Sequence, residues 1–200
     1  MRNTGNGTLL SLDFYQRPDV VEVSRDLLGK VLCTRFDGVL TAGIITETEA
    51  YCGRNDKACH ANGGTRTART EVMYGPPGHS YVYLCYGIHH LFNVVTNREG
   101  LADAVLIRGI EPVDGVDIMK QRRGFSTVTG LSDGPGKLTQ ALGIKTSMTG
   151  CSLMEPPVWI EDRGIPASDN VIEATPRIGV DYAGEHALRD WRFLVTRALT

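Results

Sequence analysis

Apolar positions along this chain change period, and the changes mark out the elements. From Asp13 to Gly29 they fall at Val20, Val23, Leu27 and Leu28, one face of a helix, with Pro18 suited to a first turn and Gly29 to the stop. Val31 to Phe36 and Val39 to Tyr51 are rich in β-branched residues and predict two strands. Asp37-Gly38 between them is a strong hairpin signal, because both central residues of that turn want positive φ. Cys52 to Gly78 is polar, long and rich in Gly, Thr and Arg, which predicts a functional or disordered loop. Tyr81 to Gly87 reads as a strand ending in a turn, and Ile88 to Thr96 and Ala104 to Ile110 continue the sheet. Glu111-Pro112 predicts the opening of a helix that holds Val116 and Met119 and ends near Gly124. Gly134 to Lys137 starts another, stopped by Gly143. Residues 145–156 read as irregular. Val158 to Glu161, Val171 to Ala174, Arg177 to Val180 and Arg192 to Thr196 are short strand candidates. Helix, strands, helices, strands is the order of an α+β fold with a mostly antiparallel sheet.

Length and composition narrow the class. Two hundred residues suit one domain with a sizeable core, preceded by a short flexible tail over about residues 1–9. The chain is 42% hydrophobic and 22% charged, ordinary for a globular protein. A net charge of -2 advertises no overall basic field, although nucleic-acid binding needs only one basic face. Five cysteines without a CxxC fit free thiols in a reducing, intracellular compartment. No signal peptide or transmembrane run is visible, so no membrane partner is expected.

The candidate chemistry centres on Glu47-Thr48-Glu49-Ala50-Tyr51. Strand parity puts Glu47, Glu49 and Tyr51 on one face. A carboxylate beside a ring suits a pocket for a flat substrate, with the carboxylate as base or as support for a cation. A rim glutamate beside a half-buried tyrosine is the plainer alternative. Tyr81, Tyr83 and Tyr86, His60, Asn93 and Arg108 join the candidates, each with a structural alternative: sheet packing, a loop hydrogen bond or an ion pair. His89-His90 would point to opposite faces of a strand and make a poor chelate, and no HExxH or GxSxG is present. Gly130 to Lys137 has the wrong spacing for a phosphate loop, with Leu138 where Ser or Thr should bind magnesium. The Gly134-Pro135-Gly136-Lys137 helix start still suits one backbone phosphate. No cofactor or metal is expected.

Together these residues resemble the alkyladenine, or 3-methyladenine, DNA glycosylase family. The similarity is carried by TETEAY at 46–51, His60 within Lys57 to Gly64, Arg66 to Arg69, Met73, Pro77-Gly78 and YVYLCYG at 81–87. It continues through Asn93-Val94, VLIRGIE at 105–111, Gly134 to Leu138, Arg177 to Gly184 and Trp191 to Val195. The resemblance implies a single mixed domain, with a protruding β-hairpin that inserts into DNA, acting as a monomer on double-stranded DNA containing damaged purines. It implies that Glu49 activates the attacking water, with Arg108 at the catalytic centre. Tyr51, His60, Tyr83, Asn93 and Leu106 would form the base pocket, and Tyr86 would fill the gap left by the flipped nucleotide. Arg66, Arg69, Met73 and Lys137 would meet the DNA backbone. Three functions follow for testing: a monofunctional glycosylase, a non-catalytic binder of distorted DNA, and a glycosylase with a lyase step through an amine such as Lys137.

Overall fold

Strand β3, Val39–Tyr51, is the spine of the sheet in this computed structural model, which describes residues 7–197 and residue 199. Strand β2, Val31–Phe36, folds back on it through Asp37 and Gly38, at φ 51° and 78°, as the Asp-Gly pair predicts. On its other side β3 pairs with β6, Asp103–Asp114. Beyond β6 come β5, His89–Thr96, and β4, Ser80–Cys85. Beyond β2 lie β8, Val158–Asp162, and β1, Thr8–Leu9. Strand β7, Met154–Glu155, pairs with β8; β9, Ile172–Thr175, pairs with β10, Arg192–Val195; and β10 also pairs with β3. Each of these pairings is antiparallel, as the order of elements predicts.

The helices pack on one face of this sheet. The expected helix over Asp13 to Gly29 is two pieces, α1 Leu12–Tyr15 and α2 Val20–Asp26. Pro18 disfavours helical backbone at Arg17 and so separates them. Asp19 then restarts the helix by accepting the Val21 and Glu22 N–H groups, at 2.8 and 3.3 Å. α3 spans Val116–Arg123 and α4 Pro135–Leu142. Val20, Val23, Leu138 and Leu142 meet Ile45, Phe92, Val105 and Ile107 in the main core.

Three expectations are corrected. Glu111-Pro112 does not open a helix: β6 runs on to Asp114, because β3 supplies pairing partners as far as Ala42, and α3 begins only after Gly115 at φ 67°. Arg177 to Val180 is not a strand; Arg177 leaves the sheet to make a buried ion pair. The flexible tail falls partly on residues 1–6, outside the described residues, but Thr8 and Leu9 are strand β1, paired with Asp162 and Glu161. The long loop after β3 is ordered by a small core of its own, in which Cys59, Ala61, Met73 and Tyr74 pack against Tyr81, Val95 and Ala104.

Candidate active site

Glu49 is fully buried, and three donors converge on its carboxylate. Oε1 accepts the Ile178 N–H at 2.8 Å. Oε2 accepts the Tyr51 hydroxyl at 2.7 Å and Arg108 Nη1 at 3.3 Å. A carboxylate offers about four lone-pair sites, so one remains for a further donor. Arg108 also donates through Nε to Glu47 Oε1, at 2.9 Å. The Glu47, Glu49 and Tyr51 side chains thus share one face, as strand parity predicts, despite register shifts on both sides of Glu47. Glu47 is tied down differently: Arg192 Nε also reaches its Oε1, at 2.6 Å, making it a bridge between two guanidinium groups.

Tyr51, Arg108 and Ile178, the residues that hold Glu49, all line one pocket of about 270 Å³. His60, Tyr83, Asn93 and Leu106 line it too. The base-pocket candidates are therefore brought together from β3, β4, β5, β6 and the long loop. Burial and the adjacent Glu49 carboxylate hold the Tyr51 phenol well above its ordinary range. Burial also raises the Tyr83 phenol. The His60 ring meets Tyr83 edge-on, with centroids 4.8 Å apart. Its Nδ1 bonds the Tyr81 hydroxyl at 2.9 Å, and its Nε2 takes a hydrogen bond from Arg69 Nη2. Arg69 can only donate, so the ring is neutral with its proton on Nδ1. Burial, then the Arg69 charge, lowers the His60 pKa to about 4. Asn93 spends its amide N–H₂ on the Tyr81 and Leu91 carbonyls, at 3.1 and 3.4 Å. For Arg108, burial disfavours the cation, but Glu49 and Glu47 outweigh it and its pKa is raised.

Tyr86 also borders this pocket, at its rim. It sits in the β4–β5 hairpin, where the Ile88 N–H closes the turn on the Cys85 carbonyl at 3.2 Å. Tyr86 and Gly87 both have positive φ, 51° and 72°. That backbone is strained for a bulky side chain. Tyr86 is 92% exposed, and Leu84 and Ile88 beside it are also exposed.

The residues assigned to the DNA backbone are placed less uniformly. Arg66 is engaged by Glu71 in a two-pronged pair, at 2.9 and 2.6 Å, and its guanidinium lies over Tyr74. Arg69 is exposed but bonded to its neighbours, donating to the Tyr81 hydroxyl at 3.1 Å with its guanidinium over Tyr83. The Met73 side chain is buried and lines the same pocket as Tyr51 and Tyr83. Lys137 is exposed and pairs with Asp133 at 2.9 Å.

Sequence reasoning missed Ile178 as a holder of Glu49, because a backbone N–H has no signature in a side-chain pattern. It also missed Asp56 and Arg177, whose pairing is described below. Pro176 and Gly179, flanking Arg177 and Ile178, were the available signs that this stretch is not a strand. Among the described residues no group of three or more His, Cys, Asp or Glu is placed to hold a metal ion. No helix among them is long and apolar enough to cross a membrane. All five cysteines are free.

The family model described as Methylpurine-DNA glycosylase matches residues 13–198. Three relatives are each named "Putative 3-methyladenine DNA glycosylase". That of Methanocella arvoryzae is 48% identical over 187 residues, covering 92% of this chain and 91% of the relative. That of Bacillus thuringiensis is 47% identical over 191 residues, covering 90% and 92%. That of Chlorobaculum parvum is 45% identical over 189 residues, covering 94% and 87%.

Proposed function

This chain belongs to the methylpurine-DNA glycosylase family, a family of hydrolases, and we propose that it flips damaged purines out of duplex DNA and hydrolyses their N-glycosidic bond with a water activated by Glu49. The observation that carries this reading is the buried Glu49 carboxylate, held by three donors that themselves line an aromatic pocket. Its remaining lone-pair site would take the hydrogen of an attacking water. As a general base it would supply about 10²–10⁴-fold. Its negative charge would also stabilise the oxocarbenium-like sugar. Arg108, fixed between Glu47 and Glu49, orients that carboxylate.

An N-alkylated purine carries positive charge and is already a good leaving group, so the pocket must hold it more than protonate it. The Tyr51 and Tyr83 rings would favour such electron-poor bases by about 0.5–2 kcal/mol of cation–π attraction. Neutral His60 adds no positive charge to repel them. Asn93 would exclude the exocyclic amino group of guanine by its bulk. Flipping costs a few kcal/mol, less for badly paired lesions. Tyr86, exposed at a turn with nothing to bury it, would fill the vacated stack. Lys137, paired with Asp133, is less suited to a lyase step than to a phosphate contact at the start of α4. Alkylated purines, 3-methyladenine among them, are the expected substrates, with deaminated purines as candidates.

The test is Glu49→Gln incubated with alkylated duplex. Free base should fall to near background while DNA binding is kept or improved, since the carboxylate acts in the transition state and the amide keeps the shape of the side chain. Release close to the wild-type rate would refute the role of Glu49.

A further inference from the structure

Asp56 and Arg177 form an ion pair that the mechanism above leaves unused. Both side chains are fully buried. Arg177 Nη1 donates to Asp56 Oδ2 at 2.5 Å and Nη2 to Oδ1 at 2.8 Å, a parallel fork. The same guanidinium donates to the carbonyls of Ala50, at 2.8 Å, and His186, at 3.0 Å. Desolvation can cancel the attraction within such a pair, so its placement needs a reason beyond stability.

The guanidinium touches the site at several points. Its central carbon lies 4.8 Å from the centroid of the Tyr51 ring. Ala50, whose carbonyl it takes, sits between Glu49 and Tyr51 in β3. Ile178, next to Arg177 in the chain, gives Glu49 its N–H. Asp56 lies in the loop that carries His60 to the pocket.

We infer that the Asp56–Arg177 pair is a positioning element for this reaction: Arg177 fixes the Tyr51 ring and the Ile178 N–H, and Asp56 cancels the guanidinium charge behind the pocket. The inference rests on the proposed role of Glu49. Its electrostatic half follows from the chemistry. The sugar becomes cationic during bond cleavage, and an alkylated base is cationic from the start. An unpaired cation behind Tyr51 would oppose both.

Two duplexes test this, identical except for one abasic-site analogue. One carries a pyrrolidine, cationic at neutral pH, and the other a neutral tetrahydrofuran. The ratio of their Kd values reads charge at nearly constant shape. The wild-type chain is expected to prefer the pyrrolidine duplex. Asp56→Asn leaves Arg177 unpaired and should cut that preference by about tenfold or more. The double variant Asp56→Asn with Arg177→Gln removes both charges and is the better candidate to fold. It should restore the preference to within about threefold of wild type. Its single-turnover rate of base release should stay roughly tenfold or more below wild type, because Tyr51 and the Ile178 N–H have lost their anchor. If Asp56→Asn does not fold, the ratio and rate of the double variant decide. A pair with only a structural role would lower the melting temperature and leave the preference unchanged in Asp56→Asn. That result, or a double variant releasing base at the full rate, overturns the inference. A wild-type chain without preference for the pyrrolidine duplex overturns instead the role given to Glu49.

Discussion

Replacing Tyr86 by alanine separates a wedge from a packing residue, because the side chain has almost no packing to lose. At 92% exposure it buries little apolar area, and alanine keeps the Cβ and hence the backbone strain at φ 51°. The change in folding stability should therefore stay within about 0.5 kcal/mol. For a chain of this size that is a shift of about 2 °C or less in Tm. Capture of the flipped nucleotide should suffer far more. An aromatic ring stacked on bases is worth about 1–3 kcal/mol by alanine substitution, so roughly 5- to 150-fold in kcat/KM is at stake on a normally paired lesion. The assay is base release from a matched duplex and from a single strand carrying the same lesion. On the single strand little stacking is broken, and the loss should shrink to about twofold. Equal losses on both substrates, together with a Tm lowered by several degrees, would refute the wedge. Tyr86→Gly provides a second arm: it relieves about 1–2 kcal/mol of left-handed strain at some cost in chain entropy, and should lose capture without losing stability.

Other perturbations have equally definite signs. Tyr51→Phe removes one of three donors to Glu49 but keeps the ring, so single-turnover release should fall while lesion affinity changes little. The His60 pKa is lowered from 6.5 to about 4, so between those values the unfolded chain binds the extra proton and the folded chain does not. Stability should be full above pH 6.5 and fall as the pH drops towards 4, and Tm measured against pH should lose that component in His60→Asn. Phe92→Ala opens the main core where the side chain is fully buried, and chemical denaturation should show a loss of about 3–5 kcal/mol. Lys137→Gln, if that amine meets a phosphate, should lower the slope of log K against log salt by about 0.9, and an unchanged slope would remove it from the interface.

The parts of the fold visible in the sequence are those decided by local chemistry. Asp37-Gly38 makes its turn because the two residues themselves tolerate positive φ. Glu47, Glu49 and Tyr51 share a face because strand geometry leaves little choice. Tyr86 stands out at a turn because Gly87 follows it and the strand pattern ends there. Pro112 was misread because a helix start and a strand end accept the same local residues, and the distant partner Gly43 makes it a strand. Arg177 and Asp56 are 121 positions apart, and no local pattern couples them. The bonds of Arg69 to His60 and the Tyr81 hydroxyl were not legible either, since a guanidinium's direction depends on which acceptors the fold brings near it. Sequence could name candidates for the site, but not the backbone N–H or the buried pair that hold them.

The pairing of β10 with β3 has a consequence for how the protein is made. Arg192 and Leu194 lie opposite Glu49 and Glu47, and Ile178 reaches Glu49 from the same late part of the chain. Glu49 leaves the ribosome well before Ile178, one of the three donors that hold it, and before the β10 strand that pairs with its own. Contacts so distant in sequence form slowly and late. A chain that stops before Ile178 can therefore hold much of the sheet while Glu49 lacks one of its three donors.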